Sequence, residues 1–502
     1  LPLFKADGTV NTDIHVYPKN TTANEPKVDK DFEGKANAEQ DRNEVTRPEG
    51  PIVEDAYVGQ EKKYDIETII PAGAKYKTVA WTDQMTEGLT FNNDVEIMIG
   101  AKGSETKWDA TNYEVKVDNN GFVLELTKAG LKEIEEKAKD ADVRLLVKYS
   151  ATVNEKAKID RQERNDVVFH FGNEPHHGNT PYPTKPSNGS LTVNKEFTGA
   201  EGDWKDGEKV TVTIYDAHTG KPVEFTDGQK ATVELTKDTE TEHTWTGLDN
   251  DRQYIVKEKF TAGDEVTYVK QDDGSIKIQD KKTDNPNPKD PQEPGVVTYG
   301  HRFQKVDQEG KGLDNAEFIV KNADGKVLAQ KEAKDISKDQ ADYAAAEKAY
   351  KDAVKEGKAD TEIAPLKEAR DKAYVKVNTQ WKWIDDSEKH DGAYVFKSGE
   401  KVDGYFKVTG LAKGNYELVE TKAPDGYAKL TKAVPFNVDE GSTGVTELEA
   451  GKLTDAKGFK QIENKKVTIP QTGGMGTVLF TVVGIGLMAG AVMAMKRNRE
   501  EA

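Results

Sequence analysis

What most limits the folds open to this chain is its run of short alternating segments, each bounded by Gly, Asn or Asp. Examples are Tyr113-Glu114-Val115-Lys116-Val117, Lys209-Val210-Thr211-Val212-Thr213-Ile214 and Glu317-Phe318-Ile319-Val320. Alternation places apolar side chains on one face of a strand and polar ones on the other, the pattern of half-buried antiparallel strands in a β-sandwich. Two Pro-, Asn- and Gly-rich stretches without apolar periodicity, Gly178 to Ser190 and Asp284 to Gly295, cut the chain into three blocks and read as stiff linkers. Two segments read as helix: Ala129 to Ala141, and the Ala-, Lys- and Glu-rich stretch Lys338 to Val375. The second is expected as two helices broken near Gly357 to Pro365 and inserted into the last block. It is too short and interrupted to favour the alternative, a heptad coiled coil.

The C-terminus sets the location. An apolar run from Met475 to Met495 precedes Lys496-Arg497-Asn498-Arg499. About 20 such residues cross a bilayer as a helix, and a basic tail holds its end on the cytoplasmic side, so the preceding residues lie outside. A bare anchor leaves Ile469-Pro470-Gln471-Thr472-Gly473-Gly474 unexplained. Rigid Pro followed by flexible Gly presents an extended peptide that an enzyme can grip and cut. Motif, apolar run and basic tail in this order resemble the Gram-positive cell-wall sorting signal, with Ile469 where Leu is usual. The resemblance implies that a sortase cysteine cleaves between Thr472 and Gly473 and joins the Thr472 carbonyl to an amine.

Composition agrees with an extracellular shaft. The 502 residues, less the anchor, suggest about three domains. A net charge of −18 without a basic stripe argues against nucleic acid as a partner and favours a soluble surface rod. With no cysteine, disulfides and thiolate chemistry are excluded, so any covalent staple is of another kind. The chain opens at Leu1 without a charged-then-apolar leader, although export requires one. The expectation is a fragment lacking its N-terminal part.

Val16-Tyr17-Pro18-Lys19-Asn20 is similar to the pilin motif of backbone subunits in sortase-assembled pili. Glu25 to Phe32, Met85 to Leu89 and Val467 to Gly474 extend the likeness. Nearly the whole chain resembles the backbone (major shaft) pilins of Gram-positive pili, the pneumococcal pilus backbone in particular. The resemblance implies an all-β chain of tandem Ig-like (CnaA/CnaB-type) β-sandwich domains. Residues 1–20 would end a truncated N-terminal domain, 21–180 would be CnaA-type, and 188–287 and 296–468 CnaB-type. The last would carry a helical insertion at about 338–378, and 469–502 would hold the sorting signal, transmembrane helix and basic tail.

By the same resemblance, Lys19 is the amine that attacks the Thr472 acyl-sortase of another copy. Each complete domain would be locked by a self-formed Lys–Asn amide beside a carboxylic acid. Burial lowers the lysine pKa and raises that of the acid, so a neutral amine can attack a carboxamide while the acid shuttles protons. Carried over by position, the pairs are Lys30–Asn165 with Asp83, Lys195–Asp280 with Glu258, and Lys305–Asn464 with Glu420. First and last strands lying side by side would suit Lys and Asn at opposite ends of a domain. Glu87 is an alternative acid to Asp83. Asp280 departs from the family, which has Asn there; a Lys195–Asp280 amide would release water, and an unreacted salt bridge is the alternative. Glu420 lies in Tyr416 to Tyr427, which matches the pilin E-box. Asn20 would accept a bond from a lysine in the missing N-terminal domain and stay unbonded here.

Nothing else in the sequence points to chemistry. His176-His177 reads as a solvated loop rather than a metal site. The acidic turns Asp272-Asp273-Gly274 and Asp307 to Gly310 lack calcium-loop spacing. No phosphate loop or Ser-His-Asp order is present, so no cofactor, no metal and no enzyme activity beyond self-bonding are expected. The expected partners are other copies in a head-to-tail covalent polymer, a pilus sortase and a housekeeping sortase, minor pilins, host extracellular matrix, and the membrane transiently. The alternative is a wall-anchored adhesin or minor pilin that binds a host ligand.

Overall fold

A computed structural model describes residues 25–40, 52–199, 204–261, 263–331, 333–378, 381–399, 403–443 and 459–467. Alternation becomes burial as the pattern dictates. In Lys209–Asp216, Val210, Val212 and Ile214 face inward while Lys209, Thr211 and Thr213 stay outside. Three apolar cores result, one built around Trp81, Phe122 and Phe169, a second around Trp245 and Tyr268, and a third around Phe303, Phe318 and Phe406. Each lies between two sheets whose inner faces interdigitate.

The first core sits between two six-stranded sheets. One has Lys27–Phe32 at its edge, paired antiparallel with Glu61–Ile70. The other runs Val53–Asp55, Gly295–Val297, Gln162–Gly172, Thr78–Met85, Gly121–Leu126 and Tyr113–Val117. In the middle block Leu191–Thr198 pairs parallel with Ile276–Lys282, and the facing three-stranded sheet carries Tyr254–Glu258. The third block repeats this arrangement with Tyr299–Val306 parallel to Phe459–Glu463, facing a sheet that carries Gly414–Lys422.

Several expectations change. First and last strands lie side by side in the middle and third blocks, but in the first block they belong to opposite sheets. There Glu61–Ile70 and Thr78–Met85, which take their places as neighbours, supply the longer hydrogen-bonded edges. The stretch 284–295 is not a free spacer, and the sheet of the third block does not begin at 296. Gly295–Val297 completes the second sheet of the first block, with Val296 in the first core, because two strand edges there would otherwise be unpaired. The stretch 178–190 is likewise packed, with Thr180 and Thr184 buried and Thr184 exchanging backbone bonds with Tyr254.

Helix α1 is Lys128–Lys137, shorter than the pattern suggests; it is capped by Thr127 and ends where the Ala138 carbonyl accepts from Gly73. The insertion is two helices, α2 (Ala333–Lys355) and α3 (Asp360–Asn378). The break falls at Gly357, whose φ of 69° suits glycine, whereas Pro365 lies inside α3. There it forgoes one helical bond near the start of α3.

Gly121 pairs with the strand that carries Asp83, and a Cβ on it would lie 1.9 Å from the Asp83 carbonyl oxygen. Gly121→Ala therefore forces this strand pair apart. A loss of about 1–3 kcal/mol is expected, read as a lower calorimetric melting temperature for the first block.

Candidate functional site

Each core contains one lysine whose side chain is fully buried: Lys30, Lys195 and Lys305. The alternation of their strands aims them inward, where a lysine is rare unless paired.

In the first block Lys30 reaches across the sandwich. Its Nζ donates to Asp83 Oδ2 at 2.8 Å and to Asn165 Oδ1 at 2.7 Å. Tyr149 joins the group, donating to Asp83 Oδ2 at 2.7 Å and accepting from Asn165 Nδ2 at 3.0 Å. The rings of Tyr64 and Tyr149 lie 5.9 and 5.7 Å from the lysine nitrogen. Burial pushes the Lys30 amine down, against the opposing pull of Asp83, and pushes the Asp83 carboxyl up. Both shifts favour the uncharged forms. Glu87 stands elsewhere, bonded to Lys185 at 2.9 Å and Lys158 at 3.3 Å, so the geometry places Asp83 at the lysine.

In the middle block Lys195 contacts Asp280 and lies 3.3 Å from Glu258 Oε2. All three side chains are buried. Lys195 and Asp280 come from the paired parallel strands, and Glu258 from the facing sheet. Burial, reinforced by the charge of Asp280, raises the Glu258 carboxyl to about 9, which holds it as the acid at neutral pH. Phe197 covers the amine at 4.9 Å, and the Tyr268 hydroxyl accepts from the Glu258 amide at 2.9 Å.

In the third block the lysine bonds to the backbone rather than to the side chain of its proposed acceptor. Lys305 Nζ donates to the Ile462 carbonyl at 2.7 Å and lies 3.8 Å from Glu420 Oε1. Glu420 is held by the Leu430 amide at 2.7 Å, and both its oxygens accept from Asn464 Nδ2 at 3.0 and 3.2 Å. The acid thus grips the Asn464 amide nitrogen, while Asn464 Oδ1 is buried without a partner. Burial lowers the Lys305 amine to about 8, so more of it is neutral at neutral pH than of an exposed lysine.

Tyr149, Tyr64, Phe197 and Tyr268 were not singled out from the sequence. The only sign of them is an aromatic residue at an inward position of a strand, which ordinary core packing shares. His176-His177 is not a solvated loop. His176 contacts Glu174 and Glu265, and the rings of His177 and His170 lie 5.3 Å apart. These contacts form where the linker packs between the two blocks, the middle block supplying Glu265 and the first block the His170 ring. Among the described residues no group of His, Asp and Glu is arranged to hold a metal ion, and no helix is long and apolar enough to cross a membrane. Asp273 and Asp307 accept from backbone amides of their own turns, at Ser275, Glu309 and Lys311. Lys19, Asn20, Ile469, Pro470, Gln471, Thr472, Gly473 and the run Met475 to Met495 lie outside the described residues.

No curated protein sequence matches the chain. Family models do. Residues 58–175 match the Gram-positive pilin backbone subunit 2, Cna-B-like domain, and 223–320 match the corresponding subunit 3 domain. Residues 352–452 match a prealbumin-like fold domain, and 461–502 the LPXTG cell wall anchor motif. Among solved structures, the full-length major pilin RrgB of Streptococcus pneumoniae is 35% identical, with a TM-score of 0.71 over 92% of this chain and 77% of that one. A second structure of the RrgB pilus backbone is 33% identical, with a TM-score of 0.69, over 88% of this chain and 100% of that one.

The chain belongs to the Gram-positive pilus backbone pilins. It is a subunit of a cell-wall-anchored surface pilus, and its relatives are structural proteins rather than enzymes. The matched model for 58–175 is described as Cna-B-like, where the resemblance of that block alone implies CnaA-type. In this pilin Lys30 reaches across the sandwich, whereas Lys195 contacts a residue of a neighbouring strand.

The raised Glu258 carboxyl has a consequence for stability once the amine is removed. The folded chain then keeps a proton that the unfolded chain, with a value near 4.5, has released. Stability from this group is whole below about pH 4.5 and is lost as pH rises above that, since removing Lys195 takes away a charge that pulls the carboxyl down. Lys195→Met is therefore expected to melt at a lower temperature at pH 8 than at pH 5 in its middle block. An equal or higher melting temperature at pH 8 would show that Glu258 is ionised.

Proposed function

We propose that each buried lysine forms an amide with its neighbour: Lys30 with Asn165, Lys195 with Asp280, and Lys305 with Asn464. The observation that carries this reading is the recurrence, in three separate cores, of one buried lysine, one carboxylic acid and one amide or acid acceptor. In the Asn cases the neutral Lys Nζ attacks Cγ, a new Nζ–Cγ bond forms, and the Cγ–Nδ2 bond breaks. The acid, Asp83 or Glu420, gives its proton to the departing nitrogen, which leaves as ammonia, and takes back the proton that Nζ sheds. In the middle block Glu258 serves the same role and water leaves from Asp280.

The product also suits the environment. A buried ionic lysine and carboxylate gain little over apolar packing and cost several kcal/mol if left unpaired, whereas an amide carries no net charge. Ammonia or water escapes, so the bond persists. Such bonds resist stretch and proteolysis in a shaft that has no disulfides.

For assembly, Lys19 of one copy attacks Thr472 of the next after a pilus sortase cleaves before Gly473. A housekeeping sortase then joins the finished polymer to the wall. Minor pilins and host matrix are the further partners of such a shaft. As a second reading, an adhesive site on the shaft is favoured by a hollow of about 180 Å³ lined by Trp381, Tyr394 and Phe396 between the first and third blocks.

Intact-mass measurement tests the amides. A deficit of about 17 Da for each Lys–Asn bond and about 18 Da for the Lys–Asp bond is expected, and Glu420→Ala should remove only the third-block deficit while the chain still folds. A full deficit in that variant would remove Glu420 from its role. The polymer link is tested separately. Lys19→Ala should abolish high-molecular-weight ladders with the pilus sortase, and ladders that persist would refute the shaft linkage.

A further inference from the structure

The segment that returns from the middle block runs antiparallel along Gln162–Gly172 for its whole length. At one end Asn285 Oδ1 accepts from the Glu174 amide at 2.9 Å, and its side chain lies where a Cβ on Gly172 would be. Lys289 and Phe169 then exchange both backbone hydrogen bonds, each 2.8 Å. Glu293 is buried against the Arg164 guanidinium, accepting from Nε at 2.9 Å. Gly295–Val297 pairs on both sides, and the Thr298 carbonyl accepts from Asp160 at 2.9 Å.

The middle block therefore leaves and returns at one end of the first block, near Gly172 and Glu174. The third block meets the other end. Val58 donates to the Gly410 carbonyl at 2.8 Å, Thr443 donates to Asp160 Oδ2 at 3.0 Å, and Tyr299 donates to Asp55 Oδ1 at 2.9 Å. Gly59 has no Cβ to hold off the Trp381 carbonyl. Glu25, at the start of the described chain, pairs with Lys289 near the Gly172 end. The first and third blocks thus follow one another in line, and the middle block docks at the side through Thr180, Tyr182 and Gln253.

We propose that the return segment is a mechanical clamp: it passes tension from the first block to the third without crossing the middle block, which serves as a tethered reserve of length. This rests on the proposed amides. Tension enters through Lys30 and Asn165, and the residue beside Asn165 is Arg164, which holds Glu293. It then passes through Gly295–Val297 to Tyr299–Val306 and Lys305. The pull lies along the strand axis, so the paired bonds share it. When the clamp and the docking contacts yield, residues 173–190 and 283–298 straighten. That is roughly 34 residues, ~120 Å at ~3.4 Å each. Extension then stops, because Leu191–Thr198 and Ile276–Lys282 are neighbours joined by Lys195–Asp280.

Single-molecule pulling on the full chain, tethered at its two ends, tests this. The unaltered chain should give one step of at most ~120 Å and no further extension. Lys195→Ala should give the same step and then a second of ~300 Å, from the roughly 90 residues of the released middle block. Glu293→Gln should lower the force of the short step, with unchanged mass deficits showing that the blocks have folded. No short step, or a ~300 Å step in Lys195→Ala without a short one before it, would overturn the clamp, as would an unchanged force in Glu293→Gln. A ~300 Å step in the unaltered chain after the short one would overturn the covalent stop and the Lys195–Asp280 amide, and leave the clamp standing.

Discussion

Everything distinctive about this pilin depends on placing a lysine amine inside an apolar sandwich beside a carboxylic acid. In water both groups are charged and inert toward one another. Inside the core the charged forms lose their hydration, the amines of Lys30 and Lys305 fall, and the carboxyls of Asp83 and Glu258 rise. The same burial that makes an unreacted cluster unfavourable makes its atoms reactive. In the proposed reading, a core assembled by the alternation of ordinary strands is thereby also the reaction vessel.

The three clusters solve one problem with different geometry. In the middle and third blocks lysine and acceptor come from parallel neighbours, and the acid is supplied by the facing sheet. In the first block the lysine stands on one sheet while acid and acceptor share the other, with Tyr149 bridging them. The proposed amide there would join the two layers of the sandwich. In the other blocks it would join two neighbouring strands of one sheet. All three proposed amides would join residues near the entry and exit of a block, where tension would arrive.

Much of the site was legible because its chemistry uses residues that are unusual where they stand. A lysine at an inward position, as in Phe303-Gln304-Lys305-Val306, breaks the apolar alternation. The family motifs around Glu420 and Asn464 then supply its partners. Asp83 was ambiguous with Glu87 because the two are four residues apart. Only the turn after Thr78–Met85 sends Glu87 away to Lys158 and Lys185. Tyr149 and Phe197 were invisible because an inward aromatic looks the same whether it fills space or covers an amine.

The sequence alone determined the class of fold, the three apolar cores and the residues capable of bonding, because alternation and composition are local properties of the chain. It also carried the family likeness at both termini. Tertiary structure decided how the blocks are joined. The stretch from Asp284 to Gly295 has the composition of a spacer, yet it docks along Gln162–Gly172 and ends in Gly295–Val297, a strand of the first block. Sheet edges and a buried arginine recruited it, and those exist only once the distant strands around them have assembled. The same assembly decided which strands face each other across a core, since a strand's own pattern records which face is apolar but not which sheet lies opposite.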